Sequence, residues 1–427
     1  MTHLLSLLLI LSSTLGFAEE LTLSQAIGEA KLHSPAYTHS HASVDEAYWK
    51  PLEALSGNIP KISVSATHFF QEKYQVLNIN FGGLATTFPE VYPKTIYNLD
   101  LSWTVFDGFQ TWNNYRAAKM GLSATENENI RAEMLVEADI SVKFYQTLAA
   151  QMLATVAEQN LKTLQDHVER TQSLLKQGEA TRFDTLRVDV QLSEAIPEKL
   201  SADDQVVLTR LALSQAMGLD SDTRPLAGEF PTPSPAAVPA DVKLDISHRP
   251  DLQALIERSE ASDKLASAAW GAWAPKISLL AEKQYYNNQT TTLTSNLSDA
   301  YSVGVGLTWN LFDGGATLAR QKQSLYQNIQ SESTSRAALL KAPIDFETWK
   351  RRYFTNVALF TARKRAIESA DESVRLANIG LKTGTRTNTD VLDAELDLFR
   401  ARAGVVRAQL EATEALINLQ LASGHRF

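Results

Sequence analysis

The chain has 427 residues, a net charge of −9 and no cysteine. Without cysteine there are no disulfides and no thiol nucleophile, and we expect no lipid anchor on a cysteine. The negative charge offers nucleic acid no basic surface, so we expect no nucleic-acid partner.

Residues 1–18 are predicted to be a secretory signal peptide. An uncharged apolar stretch over 4–15 is followed by Gly16-Phe17-Ala18, a small-x-small sequence that suits cleavage before Glu19. We therefore expect the mature protein to leave the cytoplasm. The remaining sequence has no apolar run of about eighteen residues, so any membrane contact is expected to be made by strands.

The chain contains an internal two-fold repeat. Two motifs occur in both halves, and they are Pro60-Lys61-Ile62-Ser63 with Pro275-Lys276-Ile277-Ser278 and Phe106-Asp107-Gly108 with Phe312-Asp313-Gly314. A glycine follows the motif aspartate by 71 residues in each half, namely Gly178 and Gly384. Equal intervals indicate repeated structural units. We predict two repeats, 19–219 and 246–427, joined by a proline-rich linker, 220–245.

Each repeat is predicted to have the order short helix, strand, loop, strand, long helix, tight turn and returning helix. In the first repeat the strands are predicted around 60–70 and 96–106, and the helices over 109–177 and 183–218. In the second repeat the strands are predicted around 276–286 and 301–311, and the helices over 315–382 and 389–423. The segment between the strands is nine residues longer in the first repeat, which is typical of a loop that tolerates insertion.

The second strand of each repeat alternates strictly between apolar and polar side chains. Each strand is about ten residues long, the length of a tilted strand in a bilayer. Aromatic residues near strand ends are typical of the lipid interface. The aromatic residues that we interpret as interface anchors are Tyr97, Trp103, Tyr301 and Trp309.

A soluble, half-buried sheet is the alternative interpretation, because it alternates in the same way. Four strands, however, cannot close a barrel, and open sheet edges are not tolerated in lipid. If the strands enter a membrane, several chains are therefore expected to share one barrel.

The long helices are predicted from the stretches after the Phe-Asp-Gly motifs. Nearly 70 helical residues at ~1.5 Å each reach roughly 100 Å, which suggests a span across the periplasm. Apolar residues recur at the coiled-coil spacing of four and three, and they are Ala150, Ala154, Ala157, Leu161, Leu164, Val168, Thr171 and Leu175. A soluble periplasmic coiled-coil adaptor would explain these helices but not the strands. Pro197 is predicted to bend or break the first returning helix.

Four glycines are interpreted as residues that set the backbone conformation of turns. Gly178 and Gly384 are expected to end the long helices with a positive φ. Asp107-Gly108 and Asp313-Gly314 are expected to turn a strand into a helix, with the acid near the helix N-terminus.

The doubled order of elements resembles the TolC-type outer membrane efflux proteins, over almost the whole chain after the predicted signal. The motifs that carry the resemblance are the Phe-Asp-Gly after each second strand and Gly384-Thr385-Arg386-Thr387 followed by Asp390-Val391-Leu392-Asp393-Ala394. The resemblance implies an α+β membrane protein and a homotrimer. Four strands per chain would form a shared twelve-stranded β-barrel, continued by a long α-helical coiled-coil periplasmic tunnel with the linker in its equatorial region.

The resemblance also implies a function and partners. The protein would be the outer membrane channel of a tripartite efflux or type I secretion system. It would export passively and be opened at its periplasmic tip by a periplasmic adaptor and an inner membrane pump of RND or ABC type.

Asp390 and Asp393 are candidates for a periplasmic gate. They are three residues apart and lie on one helix face, so three copies would place six carboxylates around the trimer axis. Such a ring attracts cations and repels anions, and the resemblance implies that acids here line a constriction. Arg386 is expected to bind Asp184 of the first turn as a latch. The alternative is that these are ordinary solvated helix-end charges.

The latch departs from the family pattern at Leu381, where a tyrosine would strengthen it, so we expect weaker closure.

The sequence has no zinc-protease motif, P-loop or nucleophile elbow. We therefore expect neither enzymatic activity nor a cofactor. The alternative of a secreted hydrolase would need a set of polar catalytic residues, and the sequence shows no motif for one. The histidines at 39 and 41 point to different faces of a helix, so no metal site is predicted there.

Overall fold

The computed structural model of the chain describes residues 20–70, 74–91, 95–239, 242–287 and 298–424. The predicted signal peptide lies outside these residues. The chain divides into two compact units. The first comprises Met1–His41, Asn129–Pro250 and Leu339–Phe427, and the second comprises Ala42–Glu128 and Asp251–Ala338.

The strands form two antiparallel sheets in the second unit. They are β1 (Lys61–His68), β2 (Tyr74–Phe81), β3 (Leu84–Val91), β4 (Thr95–Phe106), β5 (Lys276–Asn287) and β6 (Ser298–Thr308). The larger sheet has the order β1-β4-β5-β6. Each repeat contributes one antiparallel pair, and β4 with β5 joins the repeats. Strands β1 and β6 are therefore the edges.

A separate hairpin of β2 and β3 occupies the segment that is longer in the first repeat. The difference in length between the repeats predicts a loop there, and that prediction is wrong. The two strands pair from Phe81 with Leu84, around Gly82 and Gly83. Both glycines have positive φ, 59° and 94°, as a two-residue hairpin turn requires. The extra residues therefore pair with each other.

Seven α-helices account for most of the described chain. They are α1 (Leu23–His33), α2 (Pro35–Leu55), α3 (Gln110–Gln177), α4 (Arg182–Met217), α5 (Pro250–Gly271), α6 (Ala316–Lys382) and α7 (Asn388–Ser423). Alternate members of the predicted coiled-coil stripe on α3 are buried, including Ala157, Leu164 and Thr171. Among the described helices, none is both long and apolar enough to cross a membrane.

Two expectations about the helices need correction. The first repeat begins with two short helices, α1 and α2, where one was predicted. Pro35 starts α2 and Pro250 starts α5, because proline suits the first helical position. Helix α4 continues through Pro197 without a break, so the predicted break is wrong, and a bend at Pro197 stays a prediction. Pro197 and Ser193 are both exposed, so water can replace the bond that the Ser193 carbonyl loses.

The Asp-Gly motifs convert a strand into a helix in the same way in both repeats. Asp107 Oδ2 accepts hydrogen bonds from Thr111 N at 2.9 Å and Thr111 Oγ1 at 2.6 Å. Asp313 Oδ2 accepts the equivalent bonds from Thr317, at 2.9 and 2.7 Å. The glycine after each aspartate has a φ of 70°. Each aspartate thus satisfies a free N–H at the helix N-terminus, where its charge is favourable.

The proline-rich linker packs on helices of the first unit. Val238 and Val242 are buried in one cluster with Tyr353 of α6 and Leu419 of α7. The Tyr353 hydroxyl donates a hydrogen bond to Ser234 O at 2.7 Å. These contacts fix the linker against the two helices of the second repeat.

Candidate functional site at the helix turns

The long helices α3 and α6 end in the same backbone turn. Gly178 has a φ of 79° and Gly384 a φ of 75°. In the first turn, Gly178 N donates to Leu175 O at 3.0 Å and the next amide donates to Leu174 O at 2.9 Å. This bonding satisfies helix-end carbonyls and needs a left-handed residue at the glycine position.

The returning helices α4 and α7 both begin with a capping box. Thr181 N donates to Asp184 Oδ2 at 2.9 Å, and Asp184 N donates to Thr181 Oγ1 at 3.2 Å. Thr387 and Asp390 make the same pair of bonds at 2.8 and 3.2 Å. Two N-terminal donors are satisfied in each turn. Asp184 and Asp390 therefore have equivalent structural roles in the two repeats.

The two carboxylates of the predicted ring differ in their environment. Asp390 Oδ2 is engaged in the capping box, whereas the Asp393 side chain is 58 % exposed. Hydrogen bonds from the Thr387 backbone and hydroxyl, with a weaker contribution from the Arg386 charge, hold the pKa of Asp390 below the ordinary value. Both carboxylates lie within the first two turns of α7, near its N-terminus.

The predicted latch residues have other partners within the chain. Arg386 Nη1 lies 4.0 Å from Asp390 Oδ1, on the following turn. Asp184 accepts from Thr181, as described above. Within one chain, Arg386 and Asp184 therefore make these contacts and do not form an ion pair with each other. A latch between these residues would have to join two subunits, and it stays a prediction.

Arg187 is a residue of this site that the sequence analysis missed. Its Nη2 lies 3.5 Å from Asp393 Oδ1, and its Nη1 donates to Thr389 Oγ1 at 3.3 Å. Arg187 on α4 therefore links the two turns. The repeat itself contained the signal, because Arg187 and Asp393 occupy equivalent positions with opposite charge.

Gly380 makes room for Arg386 at the end of α6. A Cβ on Gly380 would lie 2.4 Å from Arg386 Cγ. Gly380 O also accepts hydrogen bonds from Thr385 N at 2.8 Å and Arg386 N at 3.1 Å. The neighbouring Leu381 packs against an apolar cluster that includes Val391. Arg386 is thus held over the helix end by backbone bonds and close packing.

The two tryptophans of the predicted interface set bind the backbone of their own repeat. Trp103 Nε1 donates to Asn58 O at 2.9 Å, and Trp309 Nε1 donates to Trp273 O at 3.0 Å. Trp309 lies just beyond β6. The two tyrosines of the set are exposed, and they are Tyr97 and Tyr301. A role of these four residues at a lipid interface stays a prediction.

Solved structures of outer membrane proteins have this arrangement of sheet and helices. The outer membrane protein VceC of Vibrio cholerae matches with a TM-score of 0.81 at 19% identity, covering 95% of this chain and 96% of that chain. The open-state MtrE channel of Neisseria gonorrhoeae matches with a TM-score of 0.77 at 18% identity, covering 94% and 89%. The chain therefore has the fold of these outer membrane proteins.

Sequence comparisons define the family. A family model described as outer membrane efflux protein matches residues 26–219 and 243–425. TolC of Vibrio cholerae is 21% identical, over 94% of this chain and 90% of that protein. The efflux protein BepC of Brucella suis is 27% identical, over 76% and 71%. The chain belongs to the outer membrane efflux protein family.

Family membership confirms several predictions together. The fold class, the two-fold repeat and the outer membrane location with a periplasmic extension are those of this family. The chain is a channel component for efflux or secretion. The alternative of a soluble periplasmic adaptor is excluded.

Proposed function

We propose that three copies of this chain form one passive export duct, whose periplasmic end is gated by the turns at Gly178 and Gly384. The duct crosses the outer membrane through a shared twelve-stranded barrel. The observation that carries this proposal is the four-stranded sheet, which leaves an apolar face exposed and ends in two edge strands.

The exposed apolar face of the sheet fits contact with lipid. On β6, Val303, Val305 and Leu307 are all highly exposed. Exposure of such an apolar surface to water is unfavourable, whereas the lipid of a bilayer covers it. The edge strands β1 and β6 also need partners in lipid, because unpaired backbone groups there are costly. Identical chains supply those partners when β6 of one chain pairs with β1 of the next.

The gate proposal rests on the start of α7. Three copies of Asp390 and Asp393 surround the axis with six carboxylates, which attract cations and repel anions. Arg187 offsets part of the Asp393 charge within each chain, at 3.5 Å. In this proposal Arg386 of one subunit binds Asp184 of its neighbour and holds the tip closed. The chain catalyses no reaction and needs no cofactor.

Single-channel recording in planar bilayers tests the ring. Replacing both acids, Asp390→Asn with Asp393→Asn, is expected to reduce cation selectivity and block by divalent cations. Glu368→Gln is the control, since it removes an exposed carboxylate of α6 outside both turns and is expected to keep the selectivity. Unchanged selectivity and divalent block in the double variant would rule out the ring.

The same recordings test the latch. Arg386→Ser is expected to raise the conductance of the closed state, because the proposed bond between subunits is lost. A closed-state conductance equal to that of the wild type would show that Arg386 holds nothing closed.

The proposed partners are a periplasmic adaptor and an inner membrane pump of RND or ABC type. Relatives of this chain include a protein for alkaline protease secretion and a solvent efflux pump outer membrane protein. A photoreactive residue at Glu179 or Thr385, in the two turns, is expected to crosslink the adaptor in living cells. Mass spectrometry of the product then identifies the system.

A further inference from the structure

A buried polar cluster joins α3 to the beginning of α7. His167 of α3 is 1 % exposed, and its Nε2 lies 2.7 Å from Asn388 Oδ1. Its Nδ1 lies 3.3 Å from Glu395 Oε2, and the Glu395 side chain is 10 % exposed. Two α7 side chains, one on each side of Asp390 and Asp393, thus meet one buried imidazole.

The surrounding bonds fix where the protons must be. Thr171 Oγ1 donates its hydrogen to His167 O at 2.9 Å. The lone pairs of Thr171 Oγ1 therefore accept from Asn388 Nδ2, at 3.4 Å. Asn388 therefore turns Oδ1 toward the imidazole, and His167 Nε2 has to donate to it.

Without a further proton, Nδ1 on the other side of the His167 ring then has no hydrogen bond. His167 Nδ1 and Glu395 Oε2 are both buried without a hydrogen-bond partner among the described residues. A neutral ring with its hydrogen on Nε2 places one lone pair against another across 3.3 Å. One proton between these two atoms, on either of them, removes the repulsion and neutralises a buried charge.

Two arginines near the cluster contact other residues. Arg187 of α4 contacts Thr389 and Asp393, and Arg170 of α3 lies 3.5 Å from Asn378 Oδ1 of α6. Glu395 is the charged group in contact with His167. Glu395 also lines a cavity together with Glu194 of α4, Arg363 of α6 and Arg400 of α7.

We propose that His167 is a positioning residue that docks the first turns of α7 onto α3 through one proton held with Glu395. The link to gating rests on the proposed function, because the docked segment carries Asp390 and Asp393. Docking is strongest when the proton is bound. Only then does a hydrogen bond join His167 Nδ1 and Glu395 Oε2, so loss of either partner is expected to weaken docking.

The device is present in one repeat. The positions equivalent to His167, Asn388 and Glu395 in the other repeat are Ser373, Arg182 and Asp189. The first turn of α4 has the same capping box as α7 but lacks the histidine. It therefore provides an internal control within the same molecule.

Amide hydrogen exchange of the intact trimer, measured at one fixed pH, tests the proposal. Glu395→Ala leaves His167 Nδ1 without a partner and is expected to lower the protection of the first turns of α7 about tenfold, while the first turn of α4 stays constant. Glu395→Gln supplies an N–H for Nδ1 and is expected to keep the protection of the wild type. His33→Gln, which changes an exposed histidine, is expected to behave as the wild type.

Protection of α7 in Glu395→Ala equal to that of the wild type would overturn the proposal. Protection in Glu395→Gln as low as in Glu395→Ala would also overturn it, because Glu395→Gln retains the shape of the native side chain. Bilayer recordings of the same variants separate the two proposals. If Glu395→Ala lowers the protection of α7 while the conductance is unchanged, the docking contact stands and the gate at Asp390 and Asp393 is wrong.

Discussion

Asp390 has a structural role that limits its role in a gate. Its Oδ2 caps α7 through Thr387, and its Oδ1 lies 4.0 Å from Arg386. Asp393 is more exposed and contacts Arg187 at 3.5 Å. In the proposed gate, Asp393 is therefore the acid whose charge a passing ion would meet more directly.

The lowered pKa of Asp390 predicts an acid-resistant charge. A carboxylate whose pKa is lowered in the folded state contributes its stabilisation at pH values above its unfolded pKa, and loses it as pH falls through the folded pKa. The capping bonds from Thr387 lower the pKa of Asp390. Its share of cation selectivity, measured in Asp393→Asn channels by reversal potential, is therefore expected to persist below the ordinary aspartate pKa of about 3.9.

Thr387→Ala provides the comparison in the same Asp393→Asn background. It removes the hydroxyl that bonds the Asp390 carboxylate, so the loss of selectivity is expected to move to higher pH. Identical titrations with and without Thr387→Ala would contradict this explanation of the pKa.

The residue-scale features differ in how visible they are in the sequence. The Thr-x-x-Asp capping boxes at Thr181 and Thr387 are local patterns. The Arg187 contact with Asp393 follows from aligning the repeats. The bond between His167 and Asn388 joins positions 221 residues apart, and no periodicity points to it, because it depends on how α3 and α7 pack.

At the scale of the elements, the two Asp-Gly turns form a natural matched pair. Gly108 and Gly314 have the same φ of 70°. A Cβ on Gly108 would lie 2.3 Å from Gly271 O, whereas a Cβ on Gly314 would meet nothing within 4 Å. A side chain is therefore unfavourable at both positions because of the backbone conformation. At Gly108 it is also unfavourable because of the close contact with Gly271.

Alanine substitution separates these two costs. Gly314→Ala is expected to destabilise the protein by about 1–2 kcal/mol, the cost of a left-handed non-glycine residue. Gly108→Ala is expected to cost more, because the Gly271 backbone must also move. Denaturant unfolding of the refolded protein checks the order, and equal losses in the two variants would show that the contact with Gly271 does not matter.

Most elements followed from local signals. The sequence predicts long helices over 109–177 and 315–382, and the structure has α3 and α6 at Gln110–Gln177 and Ala316–Lys382. The hairpin of β2 and β3 was missed although Gly82-Gly83 is a hairpin signal, because comparison with the shorter repeat favoured a loop. Pro197 was overestimated as a helix breaker, because an exposed helix can lose one backbone bond to water.

At the scale of the whole molecule, α4 carries an apolar stripe that its own chain leaves uncovered. The residues of the stripe share a heptad-type spacing and are 51 to 69 % exposed, and they are Phe183, Leu186, Val190, Leu200, Val207 and Leu211. In the proposed trimer this stripe packs against the neighbouring subunit. An exposed stripe of this length would otherwise favour aggregation.

Charges placed in the stripe are expected to weaken the trimer. Leu200→Glu with Val207→Glu buries carboxylates in the proposed interface, which is costly without a partner. Gln205→Glu, on another face of α4, is the control and is expected to leave the trimer intact. Size-exclusion chromatography with light scattering measures the outcome, and a stable trimer from the double variant would place the interface elsewhere.

In the proposed barrel several chains combine, because one chain supplies only four strands and two open sheet edges. Native mass spectrometry of the protein extracted from outer membranes measures the number of chains. We predict a particle of three copies. A stable particle of one copy, under conditions that keep control outer membrane trimers intact, would contradict the shared barrel and the gate built upon it.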